Sequence, residues 1–253
     1  MKENIVNWLR RWFEINGKDC NAVIGISGGK DSSVVAALCV EALGKDRVIG
    51  VLMPDGEQKD ISDSYKLVNY LGIKHYTIDI SKCKNALYDS IQSAIGNALI
   101  DNTGNNFEIT EQTKFNLPPR IRMATLYAIS QSNNGRVLNT CNLSETLLGW
   151  ETRWGDAVGD VAPLANLTVT EVKQLGYELG LPKELVDKTP ADGLCGSSDE
   201  EKMGIKYSDM DKYIRTGICD KEVKEKIDKR IKENLFKHSP IPSYDPSLNV
   251  MVL

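Results

Sequence analysis

The sequence predicts an α/β fold: a doubly wound, mostly parallel, five-stranded sheet with helices on both faces. Three observations predict it. Short β-branched runs of strand length recur along the chain, and each is followed by a stretch with helical periodicity. Such alternation implies parallel strands joined by crossover helices. The first apolar run also ends in a turn rich in glycine and hydroxyls that opens a helix, and sheets of this kind bind ligands at that junction.

In residues 3–16, Ile5, Val6, Trp8, Leu9, Trp12, Phe13 and Ile15 recur at helical spacing with Lys and Arg between them, so an amphipathic leading helix is expected. Ala22-Val23-Ile24-Gly25-Ile26 reads as a buried strand, and residues 34–43, closed by Gly44, as a helix packed on the sheet. A second strand over 47–53 stops at Pro54. A helix over 61–71, a third strand over 75–80 and a helix over 84–99 continue the pattern. Between 101 and 114 the apolar period fails and Asn, Thr and Gly accumulate, which predicts a mobile lid at 101–115. Residues 120–129 read as a helix with Arg120 and Arg122 in its first turn, where they oppose the dipole unless an anion faces them. A fourth strand over 137–142 and helices over 170–179 and 221–236 complete a single domain spanning 1–253, with a C-terminal helical part over 205–253.

Composition narrows the function. Hydrophobic residues at 41% and charged residues at 26% are ordinary for a globular chain. The formal charge of −4 argues against a general nucleic-acid binder, which carries a basic face. No apolar stretch approaches the ~20 residues of a membrane span, and Met1-Lys2-Glu3-Asn4-Ile5 does not open a signal peptide, so a cytoplasmic protein is expected. The six cysteines form no C-x-x-C pair, and reduced core thiols are the expectation. His75 and His238 are the only histidines, and no hydrolase triad order is visible.

Chemistry concentrates after the first strand. In Gly25-Ile26-Ser27-Gly28-Gly29-Lys30-Asp31-Ser32-Ser33 the glycines let the backbone approach a phosphate, and Ser27, Ser32 and Ser33 can donate to it. Lys30 adds positive charge, and Asp31 can hold magnesium. The spacing fits neither the Walker A loop nor the dinucleotide fingerprint G-x-G-x-x-G. The carboxyl end of the fourth strand delivers Thr140 and Glu145 to the same sheet edge, where Glu145 can share a magnesium ion with Asp31. Met53, with Leu52 and residues 55–58, offers a wall for an adenine ring. The segment 149–160, dense in Trp, Gly and charge, suits a loop that stacks flat groups and binds sugar hydroxyls.

The run Ser27-Gly-Gly-Lys-Asp-Ser32 resembles the PP-loop of the ATP pyrophosphatases, of the adenine nucleotide alpha hydrolase-like fold. Taken with Asn116, Arg120-Ile-Arg122-Met123, Asn139-Thr140-Cys141-Asn142-Leu143-Ser144-Glu145, Gly155-Asp156, Asp160, Pro163 and Lys188-Thr189-Pro190, the chain resembles the ammonia-dependent NAD synthetases. The resemblance implies that deamido-NAD attacks the α-phosphorus of ATP to give an acyl-adenylate and pyrophosphate, and that ammonia then displaces AMP. It implies ATP contacts from Gly25 to Ser32 and from Met53, Thr140, Lys188 and Thr189, with Ser27, Asp31 and Glu145 as the catalytic set and Asp31 and Glu145 on Mg2+. It implies deamido-NAD contacts from Arg120, Arg153, Asp156, Asp160 and the Lys237-His238 pair, which resembles a C-terminal His-Lys. A homodimer is implied as well, and, with no room in the chain for a glutaminase domain, free ammonia as donor.

Three positions depart from the family pattern: Arg153 stands where Lys is frequent, Val169 where an ATP-contacting Lys is common, and Ala191 where Thr or Ser follows the proline. Two rivals stay open at this level. One is another PP-loop activity, amidation of a different carboxylate or tRNA thiolation, and the other is a nucleotide-binding regulator without catalysis.

Overall fold

Each strand of the sheet alternates between two cores, and that alternation places helices on both faces. The computed structural model describes residues 1–98, 109–188 and 199–243. Strands β1 (Asn21–Gly25), β2 (Val48–Leu52), β3 (Lys74–Thr77) and β4 (Gly135–Leu138) are all parallel, in the order β3-β2-β1-β4. Ala22, Ile24, Val48 and Leu52 enter the larger core, while Val23, Ile49 and Val51 point to the other. The larger core is covered by α1 (Lys2–Asn16), α2 (Lys30–Leu43), α3 (Ile61–Leu71), α7 (Val169–Glu178) and α8 (Lys183–Val186). The second face is covered by α5 (Glu111–Ser132) through Ile121, Leu117, Leu126 and Ile129, after α4 (Ser81–Ala98).

A third cluster joins α6 (Leu143–Leu148) and the start of α7 to α10 (Tyr207–Thr216) and α11 (Lys221–His238), after the short α9 (Asp199–Met203). Leu148, Val169, Ile205, Tyr207, Met210 and Ile227 form it. The C-terminal helical part expected from 205 onward is thus anchored to α6, the helix that carries Glu145.

The chain leaves central β1 for β2 and β3 on one side and returns to β4 on the other. The sheet's switch point therefore lies between β1 and β4, and the crevice beyond their carboxyl ends is the place for a ligand.

Three sequence expectations are corrected. The sheet has four strands among the described residues, not five: a single parallel bridge, Leu138 to Val161, stands where a fifth would run. Pro163 follows two residues later and has no N–H with which to continue a ladder. Helix α2 begins at Lys30 rather than 34, so Asp31 lies in its first turn. Helix α5 begins at Glu111, capped by the Thr110 hydroxyl, and runs through Pro118 and Pro119. Residues 111–115 of the expected lid are therefore helical, residues 101–108 lie outside the described residues, and Arg120 and Arg122 sit far from the helix N-terminus. No helix among the described residues is long and apolar enough to cross a membrane.

Candidate active site

The loop between β1 and α2 is held open by its own hydroxyls. Ser27 Oγ accepts from the Gly29 N–H at 3.2 Å and lies 3.1 Å from Ser32 Oγ, while Ser33 Oγ donates to the Gly29 carbonyl at 2.7 Å. Gly28 has φ +75°, and a Cβ there would lie 2.7 Å from Ser64 N and 2.8 Å from the Asp63 Cβ. Glycine is thus required twice over, by conformation and by the approach of α3. The first N–H groups of α2 open toward the switch-point crevice, which suits an anion.

At the base of this loop a cation and two carboxylates meet. Lys30, 2% exposed, donates from Nζ to Asp31 Oδ2 at 2.7 Å and lies 3.5 Å from Glu145 Oε1. Asn142 ties the same pair from the β4 side: its Nδ2 donates to Asp31 Oδ1 at 3.0 Å, and its Oδ1 accepts from the Glu145 N–H at 3.1 Å as the N-cap of α6. The Tyr207 ring lies 6.0 Å from the Lys30 ammonium and adds a cation–π contact. Burial works to lower the Lys30 ammonium, but the two carboxylates outweigh it and hold the group above the ordinary lysine range. Burial and the Asp31 charge push the Glu145 carboxyl up to about 8, against the pull of Lys30 and Asn142. One lysine therefore leaves the pair short of positive charge. Hard oxygen donors in that condition fit magnesium, which takes one or two carboxylates and fills its shell with phosphate and water.

Of the other residues expected on ATP, Met53 lies at the end of β2, 8% exposed, and Thr140 lies half-buried beyond β4, both on the crevice edge. Lys188 donates to Asp60 Oδ2 and Asp63 Oδ2, each at 2.7 Å, beside Gly28. Thr189 lies outside the described residues, as do Pro190 and Ala191. Val169 packs into the third core, 4% exposed, and does not offer its side chain to a ligand.

The residues expected on deamido-NAD gather around segment 149–160 and the end of α11. Arg120 donates through Nε and Nη2 to the Arg153 carbonyl, each at 3.4 Å. The Arg153 guanidinium lies 4.8 Å from the Trp154 ring and 5.7 Å from that of Phe236, and its buried Nε has no hydrogen-bond partner. Lys237 donates to the Gly149 carbonyl at 2.6 Å and that of Glu151 at 3.0 Å. His238 Nδ1 is 3.1 Å from Glu151 Oε1. Asp156 Oδ1 accepts from the Thr152 N–H at 2.8 Å and so shapes the loop. Asp160 accepts from the Val137 N–H at 2.7 Å and from the Tyr127 hydroxyl at 3.3 Å, so one oxygen serves the edge of β4 and the other meets α5.

Three positions of this cluster were given no role by the sequence reading, and a fourth, Arg122, was given a different one. Asn142 was legible as an Asn three residues before Glu145, the N-cap pattern. Glu151, 8% exposed, accepts from the Thr146 hydroxyl at 2.9 Å and pairs with His238. Arg122, expected to face an anion, donates from Nε to the Met53 carbonyl at 3.1 Å. Tyr207 carried no local signal at all. Cys141 faces the same cleft, where burial and the carboxylates of Asp156, Glu151 and Glu145 hold its thiol well above the usual range.

Comparison with known proteins shows the family of the chain. The family model described as NAD synthase matches residues 1–240. The chain is 36% identical over 239 residues to the NH3-dependent NAD+ synthetase of Pyrococcus furiosus, covering 93% of this chain and 87% of that protein. It is 38% identical over 222 residues to the enzyme of the same name from Methanocaldococcus jannaschii, covering 84% and 80%. Among solved structures, the NMN synthetase from Francisella tularensis superposes with a TM-score of 0.85 at 31% identity, over 96% of this chain and 97% of that one. The NH3-dependent NAD synthetase from Campylobacter jejuni superposes with a TM-score of 0.70 at 27% identity, over the same shares. The chain belongs to the NAD synthase family and is a ligase with that family's ammonia-dependent activity.

Proposed function

We propose that this amidation runs through an acyl-adenylate built across the switch point between β1 and β4. The observation that carries the reading is the contact of Lys30 with Asp31 and Glu145 directly behind the Ser27–Ser32 loop. The nicotinate carboxylate of deamido-NAD attacks the α-phosphorus of ATP, and the bond to pyrophosphate breaks. The first N–H groups of α2 and the Ser27 hydroxyl donate to the departing pyrophosphate, while the hydrogen bonds within the loop keep its shape. Ammonia then attacks the acyl carbon, the mixed-anhydride bond to AMP breaks, and one proton is lost. Asp31 and Glu145 would hold magnesium, which supplies positive charge to the phosphates as the leaving group forms. Lys30 is enclosed and works from beneath, holding the two carboxylates together. Arg120, Arg153 and the Lys237-His238 end of α11 frame the acid side and supply its positive charge.

Beyond the centre itself, we read the enzyme as a cytoplasmic homodimer that uses free ammonia. The exposed Trp154, Leu235, Phe236 and Ile241 beside the acid side support an interface there. The close superposition on an NMN synthetase favours a second reading, in which the acid is the smaller nicotinate mononucleotide. One assay tests both. Purified enzyme with ATP, magnesium and ammonium is given each acid in turn, and amide product and AMP are followed. Equimolar NAD and AMP from deamido-NAD is the expected result; a kcat/KM higher for the mononucleotide moves the assignment to the second reading. Asp31→Asn is expected to lower kcat by about 100-fold or more while changing the KM for deamido-NAD little, as befits a group that acts on charge developing in the transition state.

A further inference from the structure

Helix α6 has six residues, too few to hold its own shape, so its position is set by what its side chains meet. Asn142 fixes its start to Asp31, and Thr146 fixes its far side to Glu151. Between them, Ser144 Oγ donates to Asp211 Oδ1 at 2.6 Å and accepts from the Val169 N–H at 3.2 Å, so its hydroxyl is ordered in both directions. Asp211 is 6% exposed and also accepts from the Thr170 N–H at 2.7 Å and the Thr170 hydroxyl at 2.5 Å. Burying a carboxylate is costly, and an apolar side chain would serve packing as well or better. At the start of α7 a capping box of Thr168 and Glu171 leaves the Thr170 N–H over, and Asp211 accepts from it. With its other oxygen Asp211 supplies a side-chain tie from α10 to Ser144, the residue next to Glu145.

Tyr207 lies four residues earlier on α10, on the same helix face, with its ring beneath Lys30. We propose that Asp211 is a positioning residue of the adenylating centre: α10 sets Glu145 through Ser144 and Lys30 through Tyr207, so that the carboxylates meet the phosphates at fixed spacing. The inference rests on the reading above in which Glu145 helps hold the ion on ATP.

Asp211→Ala unpartners several donors at once and lowers stability, so Ser144→Ala is the discriminating variant. It cuts the tie to Glu145 and leaves Asp211 on α7. In S144A, kcat falls about tenfold with the KM for deamido-NAD within about twofold, a typical size for outer-shell changes. The magnesium concentration that half-saturates binding of a non-hydrolysable ATP analogue, read by calorimetry, rises about tenfold. Thr170→Val loosens Asp211 from α7 only, and it lowers the melting temperature without lowering kcat. Asp211→Asn added to S144A lowers kcat no further, because the two act in one chain. Wild-type kcat and magnesium response in S144A, equal kcat losses in S144A and T170V, or additive losses in the double variant overturn the proposal. Glu145→Gln separates this from the parent reading. If E145Q is inactive and S144A is normal, only the positioning role falls; if E145Q turns over normally, both fall.

Discussion

Lys30 is a charge enclosed at 2% exposure between two mostly buried carboxylates, and its removal leaves those carboxylates facing each other. Breaking a buried ionic cluster by removing one partner costs about 3–5 kcal/mol, far more than the cluster contributes against an apolar replacement of the whole. Lys30→Met is therefore expected to lower the urea midpoint substantially and to abolish turnover. Because magnesium would restore positive charge at the same carboxylates, the metal should recover more stability in K30M than in the wild type. Urea titrations with and without magnesium check this; an equal gain in both proteins would remove the carboxylate pair as the metal's site. At this scale much was legible. Ser27 to Ser32 and Glu145 stand in short local patterns whose residue types have one economical chemistry. Lys30 shows the limit: the sequence marks it as a cation near phosphate, and the fold turns it inward as a brace.

Elements were legible where their boundaries are local and illegible where packing decides them. The first helix and the strands follow from periodicity, but Pro118 and Pro119 look like a boundary because they remove two backbone donors. Packing of Leu117 and Ile121 on the sheet carries α5 through them, and the dipole argument for Arg120 and Arg122 falls with the displaced start. The pairing of α7 with α10 has no sequence signature either. Glu171 accepts from Arg215 Nε at 2.7 Å, also at Nη2, and from the Thr168 N–H at 2.8 Å. Arg215, opposed in part by burial and aided by Thr168, holds the Glu171 carboxyl below its ordinary 4.5. The folded chain thus binds this proton less readily than the unfolded chain. The contribution to stability is complete above the ordinary value and is lost as pH falls through the lowered one. Arg215→Met is accordingly expected to flatten the acid limb of stability against pH and to leave its slope above pH ~6 unchanged. Urea unfolding from pH 3 to 7 reads this directly, and an acid limb as steep as the wild type's would deny the pair its role.

Across the whole molecule the ATP side and the acid side are built on different elements, and the buried Glu151 carboxylate is one of the contacts that join them. Lys30, Asp31 and Glu145 belong to α2 and α6, whereas Arg120 lies on α5 and Lys237 and His238 lie on α11. Glu151 accepts from Thr146 on α6, pairs with His238 on α11, and offers its carbonyl to Lys237. Gly149, at φ +66°, lets α11 come closer still, since a Cβ there would strike the Asn234 side chain. The sequence placed both halves on one edge but could not show this seam, because its partners are separated by 87 positions, from Glu151 to His238, and meet only after the C-terminal helix docks. The seam has an asymmetric consequence. The ATP side keeps two further ties, through Asn142 and Asp211, when the bond from Thr146 to Glu151 is lost, while the acid side depends on α11 for its shape. Glu151→Ala should therefore raise the KM for deamido-NAD about tenfold, the size of a lost buried hydrogen bond to a charged group, and move the KM for ATP by less than about twofold. Steady-state kinetics with each substrate varied in turn decides it. Equal rises in both constants would mean that the two halves move as one body, and an unchanged KM for the acid would mean that α11 keeps its place without Glu151.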